Sequence, residues 1–485
     1  MTVILLHSIA ALHTGPADAE PIRDAMLLVQ GHRIAYLGRM ADALPDGLLA
    51  EGEPVERIDL SGCVVTPGLI NTHHHFYQHL TRAMPSALRA RPLDWLYASY
   101  PLWAGLDADM LRAATRAAVA ELLLSGCTTA ADCAYLLPGD DGPLAAALVE
   151  AASEMGIRLH FHRGCMPTLE GDLETRLAGV MGHQSAARLI DADEDQLMRR
   201  LERAIAAHHD ADPLSMCRVA LGPTGVTYTR PGLMRKLADL AAEAGLGLHT
   251  HFHPRPDEDA KAAPDAPIAF LARHGWLRPG TWLAHGTRLK PEEVRILADA
   301  GVGVAHCPRT IVRLGFGLAP IGSWRQAGLA VGLGVDGAAS NDQGNLLSDL
   351  RLAAVLHRVT EAPEHWLTAA DALEMATADG ARALNRPQIG QIAPGLAADI
   401  AAFRIDGLDC AGAVSDPLSA LLFAGTEPRA WLTMVQGRVR VWERRLVDAG
   451  EAAIARELNH QARRMLDLCK AATGIDFSRA DALAG

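Results

Sequence analysis

An α/β fold is predicted: a (β/α)8 TIM barrel carrying a small β-sandwich domain built from both chain ends. Two observations predict it. Eight apolar, β-like runs end in polar residues, and Ala/Leu-rich segments with helical spacing separate them. Two stretches, one near each end of the chain, share a hairpin pattern: "LLVQGHRIAYL" (27–37) and "TMVQGRVRVWE" (433–443).

The elements follow in order. Residues 1–65 read as short strands, "VILLHSIAALHT", "AMLLVQGHRIAYLG" and "RIDLSGCVVT". With "ADIAAFRID" (398–406) and the second "VQG" hairpin, they predict one β domain assembled from 1–65 and 395–450. Between them, 66–394 reads as the barrel. Its strand-like runs are "GLINTHHH", "TTAADC", "RLHFHRG", "RVALGPTG", "LGLHTHFH", "TWLAHGT", "VGVAHCP" and "AVGLGVDG". Segments such as "DMLRAATRAAVAELLLSG" and "PGLMRKLADLAAEAG" supply the helices. Alternating strands and helices demand parallel strands, and in a closed barrel the chemistry sits at the C-terminal strand ends. The last segment, 451–485, reads as a helical extension.

Bulk properties set limits. The 485 residues are 49% hydrophobic and 21% charged, enough for a large core. Net charge is −12 and basic residues are scattered, which argues against nucleic acid or an anionic membrane as partner. The eight cysteines form no CxxC pair and read as reduced core thiols. The start "MTVILLHSIAALH" lacks a basic n-region and a long apolar run, so a cytoplasmic protein is expected.

The run "NTHHHFYQH" asks for a reason. Side chains alternate along a strand, so His73 and His75 share one face and His74 takes the other. Alone, the pair fits a metal site or a solvated strand end. "LHTHFH" adds His249, His251 and His253 on one face, "LAHGT" adds His285, and "GLGVDG" adds Asp336. Imidazole and carboxylate at one barrel mouth suit zinc, with ferrous iron as the alternative. Three nitrogens, one carboxylate and an open position make a hydrolytic centre.

These motifs resemble the amidohydrolase superfamily, in its branch of cyclic-amidine deaminases and triazine hydrolases. The likeness spans nearly the whole chain, from PG-x-x-x-x-H-x-H through the AHG and "GLGVDGAASND" strands to "IGQIAPGLAADIAAF" (389–403). It implies that His73, His75, His251 and Asp336 hold the metal. His285 would act as base and carbonyl-orienting group, and Asp336 would carry protons. Some members bridge two metals with a carboxylated lysine on the fourth strand. The run "SMCRVALGPTGVTYT" (215–229) has no lysine, so one metal per chain is expected. Four segments, "NTHHHFYQHLTRAMP", "LDWLYASYPLWAGLDADM", "HFHRGCM" and "GLGVDGAASNDQGNLLSDLR", resemble the group of 8-oxoguanine deaminases and hydroxytriazine aminohydrolases. In that group the matches of Gln78 and Arg163 lie near substrate; a helix-capping Gln and a surface-paired Arg are the alternatives. A homodimer is expected from family habit. Cys307 reads as packing, since a metal-water enzyme needs no thiol nucleophile.

Two departures stand out. The family's proton-shuttling Glu, in H-x-x-E after the third metal ligand, is replaced by Pro254. The family's Asn in "HCPSSN" is replaced by Ile311. His253 is the expected substitute proton donor, through its place on the face of His251, with Glu258 as its rival. The expected activity is deamination of an aminated N-heterocycle, such as an oxidised purine, as the small-molecule substrate. Removal of an alkylamine from a hydroxytriazine, or hydrolysis of another cyclic C–N bond, is the second reading. A barrel that has become a non-catalytic scaffold is the third.

Overall fold

A computed structural model describes residues 2–50, 52, 54–139, 141–226, 228–252 and 267–482. Eight parallel strands close a barrel: β1 (Leu69–His75), β2 (Cys127–Ala134), β3 (Arg158–Cys165), β4 (Cys217–Pro223), β5 (Gly247–Phe252), β6 (Thr281–His285), β7 (Gly303–His306) and β8 (Ala330–Leu333). Each strand pairs with the next, and Leu333 opposite Asn71 closes the ring. A ninth piece, Asp336–Gly337, pairs in parallel with His74 and His75 at the mouth. All eight strand-like runs of the sequence became barrel strands. Their apolar continuity fits strands covered on both faces.

The two chain ends share a second sheet. Val3–Leu12, Ile22–Gln30, Arg33–Arg39, Val55–Asp59 and Cys63–Pro67 come from one side of the barrel, and Ile400–Arg404, Leu432–Val435, Arg438–Trp442 and Arg445–Leu446 from the other. They join where Cys63–Pro67 runs antiparallel to Ile400–Arg404. The repeated "VQG" turns have a physical basis. Gly31 and Gly437 both take positive φ, and a Cβ on Gly437 would come within 1.9 Å of the Gly31 carbonyl oxygen. The hairpins therefore pack turn against turn, and glycine is required at that crossing.

One buried ion pair ties this sheet to the barrel. Asp399 accepts two bonds from the Arg158 guanidinium, at 2.9 and 3.0 Å, and a third from the Gln436 backbone N–H at 2.7 Å. Removing one partner leaves a buried charge uncompensated, at a cost of about 3–5 kcal/mol. The helix Glu451–Thr473 follows the sheet and ends at Gly474 in the left-handed region. No helix among the described residues is long and apolar enough to cross a membrane.

Candidate metal centre

Four elements deliver the ring. β1 presents His73 and His75, β5 presents His251, β6 ends on His285, and Asp336 follows β8. Strand parity explains the first three, because alternate residues turn inward. The last two need more. His285 and Asp336 both take positive φ, +71° and +61°, which costs non-glycine residues energy and persists only where the surroundings fix it. Around Asp336 that framework is visible: Asn71 Oδ1 accepts the Val335 N–H at 3.0 Å, and Asn341 Nδ2 donates to the Val335 carbonyl at 2.6 Å.

Carbonyl partners fix the tautomers. His75 Nδ1 donates to the Cys133 carbonyl at 2.8 Å, and His251 Nδ1 donates to the Thr224 carbonyl at 2.6 Å. His249 Nδ1 donates to the Trp282 carbonyl at 2.8 Å, so its Nε2 accepts from His73 Nδ1, also at 2.8 Å. The imidazoles of His73, His75 and His251 therefore each turn a lone pair on Nε2 toward the same point. His75 Nε2 and His251 Nε2 lie 3.2 Å apart, and His73 Nε2 and His75 Nε2 stand 3.4 and 3.3 Å from Asp336 Oδ1. Two ligand atoms bound to one zinc at about 2.0–2.1 Å in a tetrahedron lie about 3.3–3.4 Å apart. Lone pairs do not face each other at this spacing without an electrophile between them. The residues fit a metal ion of zinc's size.

Electrostatics agree. Burial pushes His73, His162 and His249 below the ordinary imidazole range, His162 to about 3. Neutral rings are ready ligands. Burial pushes Asp336 up, but its close contacts with His73 and His75 outweigh it and hold the carboxyl well below its usual range. Asp336 Oδ1 faces the ligands, while Oδ2 lies 3.9 Å from His285 Nε2.

Above the ring lies a pocket of about 90 Å³. Its walls include Trp95, Tyr100, Tyr135, Tyr228 and Phe316, with Gln78 reaching in. Gln78 is buried and its Oε1 has no hydrogen-bond partner among the described residues. Arg163 is not brought to this wall. It pairs with Asp141 on the face of β3 opposite His162, whose Nδ1 meets Cys133 Sγ at 3.1 Å inside the barrel. Ile311 is buried, and the side chains that reach the pocket from that segment are Leu314 and Phe316. His253, Pro254 and Glu258 lie outside the described residues. His74 stacks on His79, whose Nε2 lies 3.7 Å from Glu121, so both pack behind the ring. Sequence reading left His249 without a role and passed over Tyr135 and Glu170. Tyr135 directly follows a strand end, the one signal that would have found it.

A parallel (β/α)8 barrel with this ring at its C-terminal mouth defines a metal-dependent hydrolase. Comparison with known proteins narrows the class. Residues 64–439 match the model of the amidohydrolase family, and the chain belongs to that family. It is 39% identical to 8-oxoguanine deaminase of Pseudomonas aeruginosa, over 83% of this chain and 88% of that protein. It is 34% identical to hydroxydechloroatrazine ethylaminohydrolase of Pseudomonas sp. (strain ADP), over 91% of each. The solved structure of atrazine chlorohydrolase from Arthrobacter aurescens TC1 in complex with zinc superposes with a TM-score of 0.85 at 35% identity, over 95% of this chain and all of that one.

Proposed function

We propose that this chain deaminates an amino-substituted, oxidised N-heterocycle of the 8-oxoguanine type, releasing ammonia, with one zinc held by His73, His75, His251 and Asp336. The observation that carries it is the ring of lone pairs 3.2–3.4 Å apart beneath an aromatic-walled pocket. The 8-oxoguanine deaminase relative supports the substrate class. When bound, zinc lowers the pKa of its water toward about 7 and polarises the carbon under attack.

The protein's own groups do the rest. Asp336 Oδ2 takes the proton of the attacking water and passes it to the departing amine. His285 Nε2, on the same side, orients the water and holds the developing oxygen. Gln78 Oε1 accepts a hydrogen bond from the heterocycle, the partner it lacks among the described residues. His253 supplies a proton to the ring nitrogen in place of the family Glu. Arg163, tied to Asp141, supports the pocket from outside its wall. Removal of an alkylamine from a hydroxytriazine is the second reading, favoured by the likeness to the ethylaminohydrolase. Ferrous iron is the alternative metal, and a homodimer and a cytoplasmic location belong to the same proposal.

Elemental analysis and an ammonia-release screen over aminopurines, pterins, pyrimidines and triazines test it. One zinc per chain with ammonia from an oxidised purine is expected. A zinc-loaded chain that releases no ammonia from any of them sinks the deaminase reading. Release of ethylamine from a hydroxytriazine would establish the second.

A further inference from the structure

The end of the barrel opposite the metal gathers cations. Arg158 and His160 stand at the start of β3, and Arg218, at the start of β4, pairs in register with His160. Arg386 follows the helix Ala378–Ala383. Arg158, His160 and Arg386 are each at most 3% exposed. One oxygen ties two of them together: the Ser215 carbonyl accepts from Arg158 Nη1 at 2.9 Å and from Arg386 Nη2 at 2.8 Å. His160 lies edge-on to Trp282 at 5.1 Å, and Trp282 stacks on His249, so the group lies inside the barrel below the metal floor.

The charges here do not cancel. Both Asp399 oxygens are taken by Arg158. Asp210 and Asp212 act on Arg218 from the exposed rim. The hydrogen bonds of Arg386 among the described residues go to carbonyl oxygens, not to a carboxylate. Donors are left over as well. Arg386 Nε and Nη1, both ring nitrogens of His160, Arg218 Nε and Ser215 Oγ are buried with no partner among the described residues. Burial, then the charges of Arg158 and Arg218, push Arg386 down to about 9, which leaves it cationic at neutral pH. Burial holds His160 well below the ordinary imidazole range, so its ring is neutral and offers one N–H. A buried cation without a counter-charge is costly, and a water would satisfy the donors but not the charge.

We propose that this end of the barrel binds one monovalent inorganic anion of halide size, held by Arg386, His160 and the Ser215 hydroxyl. One uncompensated guanidinium sets the charge, the free N–H and O–H donors set the chemistry, and burial on all sides sets the size. The anion sits beside the Arg158–Asp399 pair that joins barrel to terminal sheet. Binding therefore stabilises the folded chain by mass action.

Crystals of the full zinc-loaded chain soaked in sodium bromide test it first. An anomalous bromide peak in contact with Arg386 Nε or Nη1 is expected, and a water or nothing there overturns the proposal. Thermal melts in sodium chloride against sodium gluconate at equal ionic strength follow. The wild-type Tm should exceed that of Arg386→Met by about 1–3 °C more in chloride at ten times its Kd than in gluconate. Ser215→Ala should move the chloride midpoint upward about 2- to 12-fold, the scale of one lost hydrogen bond. An equal gap between wild type and Arg386→Met in both salts overturns the proposal, because a purely structural arginine is indifferent to the anion. If Arg386→Met does not fold, the bromide map and Ser215→Ala decide: an unmoved midpoint in Ser215→Ala then overturns the assigned site.

Discussion

The floor of the pocket and its walls are built by different means. On the floor, His73, His75 and His251 come from strand ends, and each ring nitrogen not aimed at the metal has a fixed partner: the Cys133 carbonyl, the Thr224 carbonyl or His249. The walls come from the helix Pro92–Trp103, from the segments after β3 and β4, and from Leu314 and Phe316. A partner at every nitrogen makes the floor intolerant of substitution. Walls of aromatic rings and few polar groups leave recognition to a small number of hydrogen bonds. Effects on the floor should therefore be orders of magnitude, and effects on the walls about tenfold.

The largest effect belongs to the ligands. His251→Ala opens one corner of the ring, and zinc content should fall from about one per chain to a small fraction, with a rate loss of about 10³-fold or more. Elemental analysis beside the rate decides it. Full zinc content in this variant would put the metal elsewhere and dissolve the contrast.

Next comes His285. His285→Asn should lower kcat by at least about 10²-fold while zinc is retained, because the loss is of acid–base help rather than of the ion. Near-normal turnover would move His285 from the floor to the walls.

The same contrast governs what the sequence revealed. Period-two alternation put His73 and His75 on one inward face, and strand ends closed the ring with His251, His285 and Asp336. A barrel gathers its strand ends by rule, so a linear pattern reports a three-dimensional cluster. The two "VQG" turns were equally legible, because hairpin chemistry is local. The walls were not. Glu170 reaches the pocket on a segment whose anchors, Asp191 and the Tyr228 carbonyl, lie 25 and 60 residues from the residues they hold. Arg163 has the residue type of an anion binder, but the parity of β3 turns it toward Asp141 instead. Ile311, which stands where the family has Asn, is buried, and Leu314 and Phe316 come forward to the pocket. Only tertiary packing decides such cases.

His249 sharpens the boundary from below. It is buried and stacks on Trp282 at 4.5 Å while accepting a hydrogen bond from His73 Nδ1. His249→Leu leaves that N–H unpaired and the His73 ring free to turn. Zinc affinity, read by chelator competition, should drop about 10–100-fold. Unchanged affinity would mean that the layer beneath the metal only fills space.

Gln78 should show the smallest effect, and it tests the walls. Its Oε1 is buried without a partner among the described residues, so a ligand N–H is the natural donor, and one such bond is worth about 0.5–1.5 kcal/mol. Gln78→Ala should then raise KM about 2- to 12-fold with kcat little changed, the pattern of binding shared equally by ground and transition states. The side chain reaches the pocket across Gly337, where an added Cβ would fall 1.8 Å from Oε1. Gly337→Ala must therefore displace Gln78, and it should raise KM by a similar factor. Two changes acting through one contact are not additive, so the double variant should bind no worse than Gly337→Ala alone. Additive losses would show that Gly337 acts through its neighbour Asp336 rather than through Gln78. A Gln78→Ala variant with unchanged KM would show that the amide only fills the wall.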